Sequence, residues 1–127
     1  MQTVLMSSTK MQFNKSKIKL LYYLSLQSEP VTSREISEGT GLSYFYVFNR
    51  TKEFSREYKG KYNQLIHRGV RAEKDGPVYV YTIIQQGRDR LEWIKSHYPA
   101  RYKEAMAEMM EYQKNLLKGT NDNPKTQ

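Results

Sequence analysis

Cysteine is absent from the 127 residues of this chain. Without cysteine there is neither a disulfide scaffold nor a thiolate metal site. The two histidines, His67 and His97, stand far apart in the sequence, so we expect no metal site. No apolar run approaches the roughly 20 residues of a membrane-spanning helix, and residues 1–14 lack the long apolar stretch of a secretory signal. We therefore expect a cytoplasmic protein that has no contact with a membrane.

The sequence also lacks the common signatures of enzymes. It has no glycine-rich phosphate-binding loop, no zinc-binding motif and no nucleophile placed beside a histidine. We therefore expect no catalytic residues, no cofactor and no enzymatic activity.

Positive charge is what the chain has in excess. There are 21 lysine and arginine residues against 13 aspartate and glutamate residues, which gives a net charge of +8 and a pI of about 9.6. Between Arg50 and Lys74, eight cations stand against three anions, so the excess lies in the middle of the chain. This balance favours a polyanionic partner: DNA, RNA or an acidic membrane surface.

The first ordered element follows a polar segment. Residues 1–14 are polar with scattered apolar residues, and we expect them to be flexible. Apolar residues at helical spacing then predict a helix over Lys15–Ser28. It should end before Pro30, because a residue that precedes proline is pushed out of helical geometry.

Two capped helices are predicted next. Thr32 and Glu35 form the pattern of a capping box, which predicts a short helix that ends in a glycine turn at Gly41. Ser43 then predicts the N-cap of another helix, which runs to about Tyr58. In this helix we expect Val47, Thr51 and Phe54 to face the core and the rings of Tyr44, Phe45 and Phe48 to face outwards.

A β-hairpin and two further helices complete the predicted order. Tyr62–Glu73 and Val78–Ile84 read as strands, and the turn sequence Lys74–Pro77 joins them. A helix over 87–96 and a helix over 100–118 follow, with Pro99 between them. Residues 119–127 read as a disordered tail.

This order resembles the winged helix-turn-helix proteins, and the long last helix resembles the MarR-like and PadR-like dimers among them. The resemblance covers residues 15–94 and rests on Thr32–Ser37, Thr40–Ser43, Tyr79–Tyr81 and Gln86–Leu91. Two positions depart from the pattern. Ile84 stands where the family usually has a capping threonine, and Thr51 replaces a usual apolar core residue.

The resemblance implies a mainly α chain with a small β-hairpin (α+β), in which residues 15–96 form the winged helix domain and residues 97–118 a dimerisation helix. It implies sequence-specific binding of double-stranded DNA as a homodimer, and so a nucleoid-associated transcriptional regulator. The helix that begins at Ser43 would lie in the major groove, where Asn49 would contact adenine and the exposed rings thymine methyl groups. The candidate DNA-binding residues are Ser33, Arg34, Ser43, Tyr44, Phe45, Phe48, Asn49, Lys52, Arg56, Lys59, Lys61, Arg68, Arg71 and Lys74.

The last helix carries an apolar stripe that we interpret as a dimer seam, because a lone helix with such a stripe needs a partner. The candidate dimer residues are Trp93, Tyr102, Ala105, Met106, Met109, Gln113 and Leu116. The methionines also suit a pocket for a soft apolar ligand, and whether a small-molecule effector binds stays open.

Other functions use the same residue pattern. Plasmid partition, replication and genome architecture proteins share the fold and its DNA contacts. The aromatic cluster at residues 44–48 also suits a protein-binding module, and Tyr79 and Tyr81 offer a small platform for RNA bases.

Overall fold

The computed structural model describes residues 14–56 and 64–122, with side chains as far as residue 118. It is mainly helical with one two-stranded antiparallel sheet, which confirms the α+β class. The described elements in chain order are α1 (Lys15–Ser25), α2 (Ser33–Thr40), α3 (Tyr44–Ser55), β1 (Ile66–Arg71), β2 (Val78–Ile83), α4 (Gln85–His97) and α5 (Pro99–Asp122). Within these residues, no helix combines the length and apolarity that crossing a bilayer requires.

Helix α1 lies at the centre of the fold. Asn14 caps it by accepting a hydrogen bond from the backbone N–H of Lys17 at 3.0 Å. The helix ends at Ser25, three residues before the predicted end, because the backbone N–H groups of Leu26 and Gln27 donate to carbonyls only three residues back. Such tightened bonds close the last turn of a helix and do not extend it.

Helices α2 and α3 form as the capping signals predict. The Thr32 hydroxyl accepts from the Glu35 N–H at 3.1 Å, and the Glu35 carboxylate accepts from the Thr32 N–H at 2.8 Å. Gly41 ends α2 in the left-handed conformation at φ 81°, where glycine has no steric penalty. Ser43 caps α3 by accepting from the Tyr46 N–H at 3.1 Å.

The hairpin is shorter than predicted, since β1 spans Ile66–Arg71 and β2 ends at Ile83. Gly76 takes φ 116° in the connecting turn. Val31, just before α2, exchanges two backbone hydrogen bonds with Tyr81 of β2, at 3.1 and 2.8 Å. The hairpin is therefore tied by its backbone to the start of the α2–α3 pair.

Helices α4 and α5 are separated at Tyr98, as Pro99 predicts. Pro99 is the first residue of α5, a position where its missing N–H costs nothing. Ile84 occupies the N-cap position of α4 and makes no side-chain hydrogen bond there. The prediction of a tail from residue 119 is wrong for residues 119–122, because α5 continues to Asp122. The predictions for residues 1–13, 57–63 and 123–127 lie outside the described residues.

The apolar stripe of α5 is already covered within the chain. Ala105 and Met109 are buried, and Ala105 belongs to the core cluster that α1 dominates. The Tyr102 ring meets the Tyr22 ring edge-on at 6.4 Å, and Met106 packs against the same core. The prediction that these residues need a second copy is therefore corrected: the chain's own helices, α1 foremost, cover them.

Ion pairs reinforce the contact between α1 and α5. The Glu108 carboxylate lies 2.6 Å from Lys15 Nζ and 2.7 Å from Lys19 Nζ. Hydrogen bonds from these two lysines lower the pKa of Glu108 to about 2. The polar edge of α5 is thus held against α1 beside the apolar stripe.

Candidate nucleic-acid interface

Helix α3 has one buried face and one exposed face. Val47, Thr51 and Phe54 point into the core. On the other side, Tyr44 is 51%, Phe45 75% and Phe48 40% exposed. The predicted division of this helix is confirmed, and its outer face is aromatic.

The aromatic residues of α3 are ordered into a row that ends in a cation. The Tyr44 and Phe48 rings stack at a centroid distance of 6.1 Å and an interplanar angle of 27°. The ammonium group of Lys52 lies 5.3 Å from the Phe48 centroid. These residues are four apart, so they share one face of the helix.

Asn49 is less available than the sequence predicts. Its side chain is half-buried, and its Nδ2 donates to the Phe45 carbonyl at 3.0 Å. The carboxamide is therefore directed back along α3. One of its two N–H donors is not free to bind the edge of a base.

Ser33 is a structural residue, which corrects its prediction as a DNA contact. Ser33 is only 8% exposed, and its Oγ lies 3.4 Å from Thr51 Oγ1. Thr51 in turn donates to the Phe48 carbonyl at 3.0 Å. The hydroxyl of the buried Thr51 is satisfied in this way between α2 and α3. Arg34, the next residue of α2, is exposed.

The hairpin carries a second exposed aromatic group beside a cation. The guanidinium of Arg68 lies 4.2 Å from the Tyr79 ring centroid, and Val70 is paired with Tyr79 across the two strands. Both Val70 and Tyr79 are exposed. Neither was among the candidate DNA-binding residues, although strand alternation places Val70 on the same face as Arg68.

Arg71 is engaged in ion pairs, which the sequence does not predict. Its guanidinium Nε donates to the Glu73 carboxylate at 2.6 Å, and its NH2 lies 3.7 Å from the Glu35 carboxylate on α2. The hydrogen bond with Glu73 is the main cause that raises the pKa of Arg71. Arg71 thus links the hairpin to α2, and two carboxylates offset its charge.

The remaining candidate cations differ in their exposure and in their pairing. Lys74 is exposed in the hairpin turn, and Arg56 is exposed at the end of α3. Arg50 is half-buried and pairs with Glu53 at 2.6 Å. Lys59 and Lys61 lie outside the described residues.

The described residues contain no cluster of three or more histidine, aspartate or glutamate side chains that could hold a metal ion. His97 stacks on Trp93 at 4.3 Å, and His67 is exposed on β1. What the site offers is a surface of exposed rings and long cations.

No family model, curated protein sequence or solved structure matches this chain.

Proposed function

We propose that this chain is a winged helix-turn-helix protein that binds double-stranded DNA, with α3 in the major groove and the hairpin as the wing. The observation that carries the proposal is the outer face of α3, which stays exposed on a helix anchored by its other face. The capped α2, the left-handed Gly41 and the Ser43 cap set the angle between α2 and α3. A helix held in this way fits the major groove, which is about 12 Å wide.

The surrounding cations supply contacts to phosphates. Arg34 follows the cap of α2, Lys52 ends the aromatic row, and Lys74 stands at the tip of the hairpin. Phosphate contacts position a protein on the duplex, and base contacts provide the sequence preference. We assign the first role to these cations and the second to the exposed residues in the first turns of α3.

The proposal includes a homodimer, which would form through a different surface from the buried stripe of α5. Met110 is 70% exposed and Leu117 69%, and they lie seven residues apart on one face of α5. Trp93 and Leu116, two of the predicted dimer residues, are also exposed. Gln113 instead donates to the Gly39 carbonyl of the chain's own α2, at 3.5 Å. A second copy that packs on Met110 and Leu117 would leave the core of each chain intact.

The proposed biological role is transcriptional regulation. A partition, replication or architectural protein would use the same contacts, so the position of the preferred sites in a genome divides these roles. The aromatic face of α3 favours a second candidate function, a protein-binding module, because solvent-exposed rings of this number commonly mark protein interfaces.

The test is binding of the full chain to random-sequence duplex DNA over a series of salt concentrations. We expect the logarithm of affinity to fall with the logarithm of salt at a slope of about −0.9 per neutralised phosphate. Arg34→Ala and Lys74→Ala should each reduce the slope by about 1. Lys103→Ala removes one cation from α5 and serves as the matched control with an unchanged slope.

Two further outcomes test the proposal of DNA binding. Ser33→Ala should leave the slope unchanged, because this side chain is buried and faces Thr51. No binding to any duplex would refute the DNA proposal and favour the protein-binding module.

A further inference from the structure

We propose that α3 recognises the C5-methyl groups of pyrimidines in the major groove, which in unmodified DNA means thymine. The inference rests on the proposed function and specifies what the DNA-binding surface discriminates. Its preferred sites would carry thymine methyl groups where Phe45, Tyr44 and Phe48 approach the bases.

The first turns of α3 offer few chemical groups that could distinguish one base pair from another except by its methyl group. Residues 44–48 contain no arginine, lysine, glutamine or asparagine, which are the side chains that pair with guanine or adenine edges. The Tyr46 hydroxyl in this stretch is buried, and the Asn49 amide is bonded to the Phe45 carbonyl. Apart from the Tyr44 hydroxyl and the donor and acceptor that Asn49 keeps, this surface therefore meets the groove with apolar ring atoms. The apolar feature of the major groove that differs between base pairs is the thymine methyl group.

The arrangement of the rings favours contact with methyl groups over stacking on unpaired bases. Tyr44 and Phe48 stack on each other, and Lys52 lies over the Phe48 ring, so each of these two rings already has at least one face in contact, and Phe45 is the most exposed ring of the three. A base that stacks needs an open ring face, as in proteins that bind single strands. A methyl group needs only an edge.

The dimensions and the charge of the row fit a duplex groove. Tyr44 and Lys52 are eight residues apart, which is about 12 Å along a helix, and the major groove has about the same width. With the rings over the base edges at one end, Lys52 reaches the phosphates at the other. Because Lys52 is exposed and positively charged, a polyanion is the partner that suits this apolar face.

The experiment compares duplexes that differ only in pyrimidine methyl groups. One pair is an alternating A·T duplex and the same duplex with deoxyuridine in place of thymidine. The other pair is a G·C duplex with cytosine or with 5-methylcytosine. Loss of one buried methyl group corresponds to about fourfold in affinity. We expect the full chain to bind the uracil duplex at least tenfold more weakly than the thymine duplex, and the 5-methylcytosine duplex more tightly than its unmethylated form.

Variants assign the effect to α3. Phe45→Ala should bring the thymine-to-uracil affinity ratio towards one, and this ring is exposed, so the core is not disturbed. Tyr79→Ala removes an exposed ring from the hairpin and should change both affinities by the same factor. A thymine-to-uracil affinity ratio that stays high in Phe45→Ala would overturn the assignment of methyl recognition to α3. The preference for thymine would then come from a difference in stiffness between the two duplexes.

The inference and the proposed function fail in different ways. Equal binding of thymine and uracil duplexes, with a steep dependence on salt, would overturn the methyl recognition alone. Absence of binding to all four duplexes would overturn both.

Discussion

Replacing Gly41 tests whether the turn between α2 and α3 is held from outside by α5. Gly41 has φ 81°, and an added Cβ would lie 2.8 Å from the Tyr112 ring. The left-handed backbone costs a non-glycine residue about 1–2 kcal/mol. Tyr112 would also have to turn away, and its hydrogen bond to the Glu38 carbonyl at 2.7 Å would be lost, which costs about 1 kcal/mol.

We therefore expect Gly41→Ala to lower the free energy of unfolding by about 2–3 kcal/mol. Urea denaturation followed by far-UV circular dichroism measures this as a fall of about 1 M or more in the midpoint, given the denaturant dependence of small proteins. A cooperative transition with an unchanged slope shows that the change acts on stability and not on the compactness of the unfolded chain.

Two variants separate the backbone cost from the contact. Gly76 has φ 116° and nothing within 4 Å of an added Cβ, so Gly76→Ala costs backbone strain alone. In a Tyr112→Ala background, Gly41→Ala should cost about 1 kcal/mol less than in the natural chain, since the two sites are in contact. Equal costs in both backgrounds would refute the reasoning.

Three further predictions concern stability. Thr32→Ala should lower the free energy of unfolding by about 1 kcal/mol through loss of the capping box; a change within the error of urea denaturation would contradict it. Gly87→Ala should cost about 2–3 kcal/mol, because its Cβ would meet the Leu65 carbonyl oxygen and α4 would have to shift, and a thermal melt measures this. Because the pKa of Glu108 is held at about 2, below its ordinary 4.5, its stabilisation is complete above pH 4.5 and is lost as the pH falls towards 2. Glu108→Gln should therefore flatten the loss of stability over that range, and an unaltered acid titration of the urea midpoint would contradict this; added salt should weaken the effect.

Local sequence signals predicted the elements that local chemistry determines. The capping box at Thr32 and Glu35, the left-handed Gly41 and the Ser43 cap involve groups within a few residues of one another. The separation of α4 from α5 at Pro99 follows from the proline itself. Such features can be predicted because their partners are close along the chain.

Contacts between distant segments could not be predicted in this way. The stripe around Ala105 and Met109 shows correctly that one side of α5 must be covered, but periodicity does not say by which surface. Ser33 stands beside an exposed arginine in sequence, and only the packing of α2 on α3 places it against Thr51. The ion pair between Arg71 and Glu35 joins residues that are 36 positions apart.

Within the candidate site, the orientation of α3 was predicted and its polar chemistry was not. The spacing of Val47, Thr51 and Phe54 is enough to define the outer face. The bond from Asn49 to the Phe45 carbonyl depends on a side-chain conformation, which the spacing does not determine. With the Asn49 amide engaged in this way, the aromatic character of the face becomes the main chemistry of the site.

The charges around the two exposed apolar surfaces favour different partners. Helix α5 contains four cations and four anions, so a second copy of this basic chain can approach it without net repulsion. The outer face of α3 carries the exposed Lys52, whose charge would repel a second copy of this basic chain and attract a polyanion. Tyr112 connects the surfaces, because it lies on α5 and packs on the turn that sets the angle of α3. A partner that displaced the end of α5 would therefore act on the angle between α2 and α3, and, if the proposed function holds, on the angle at which α3 meets DNA.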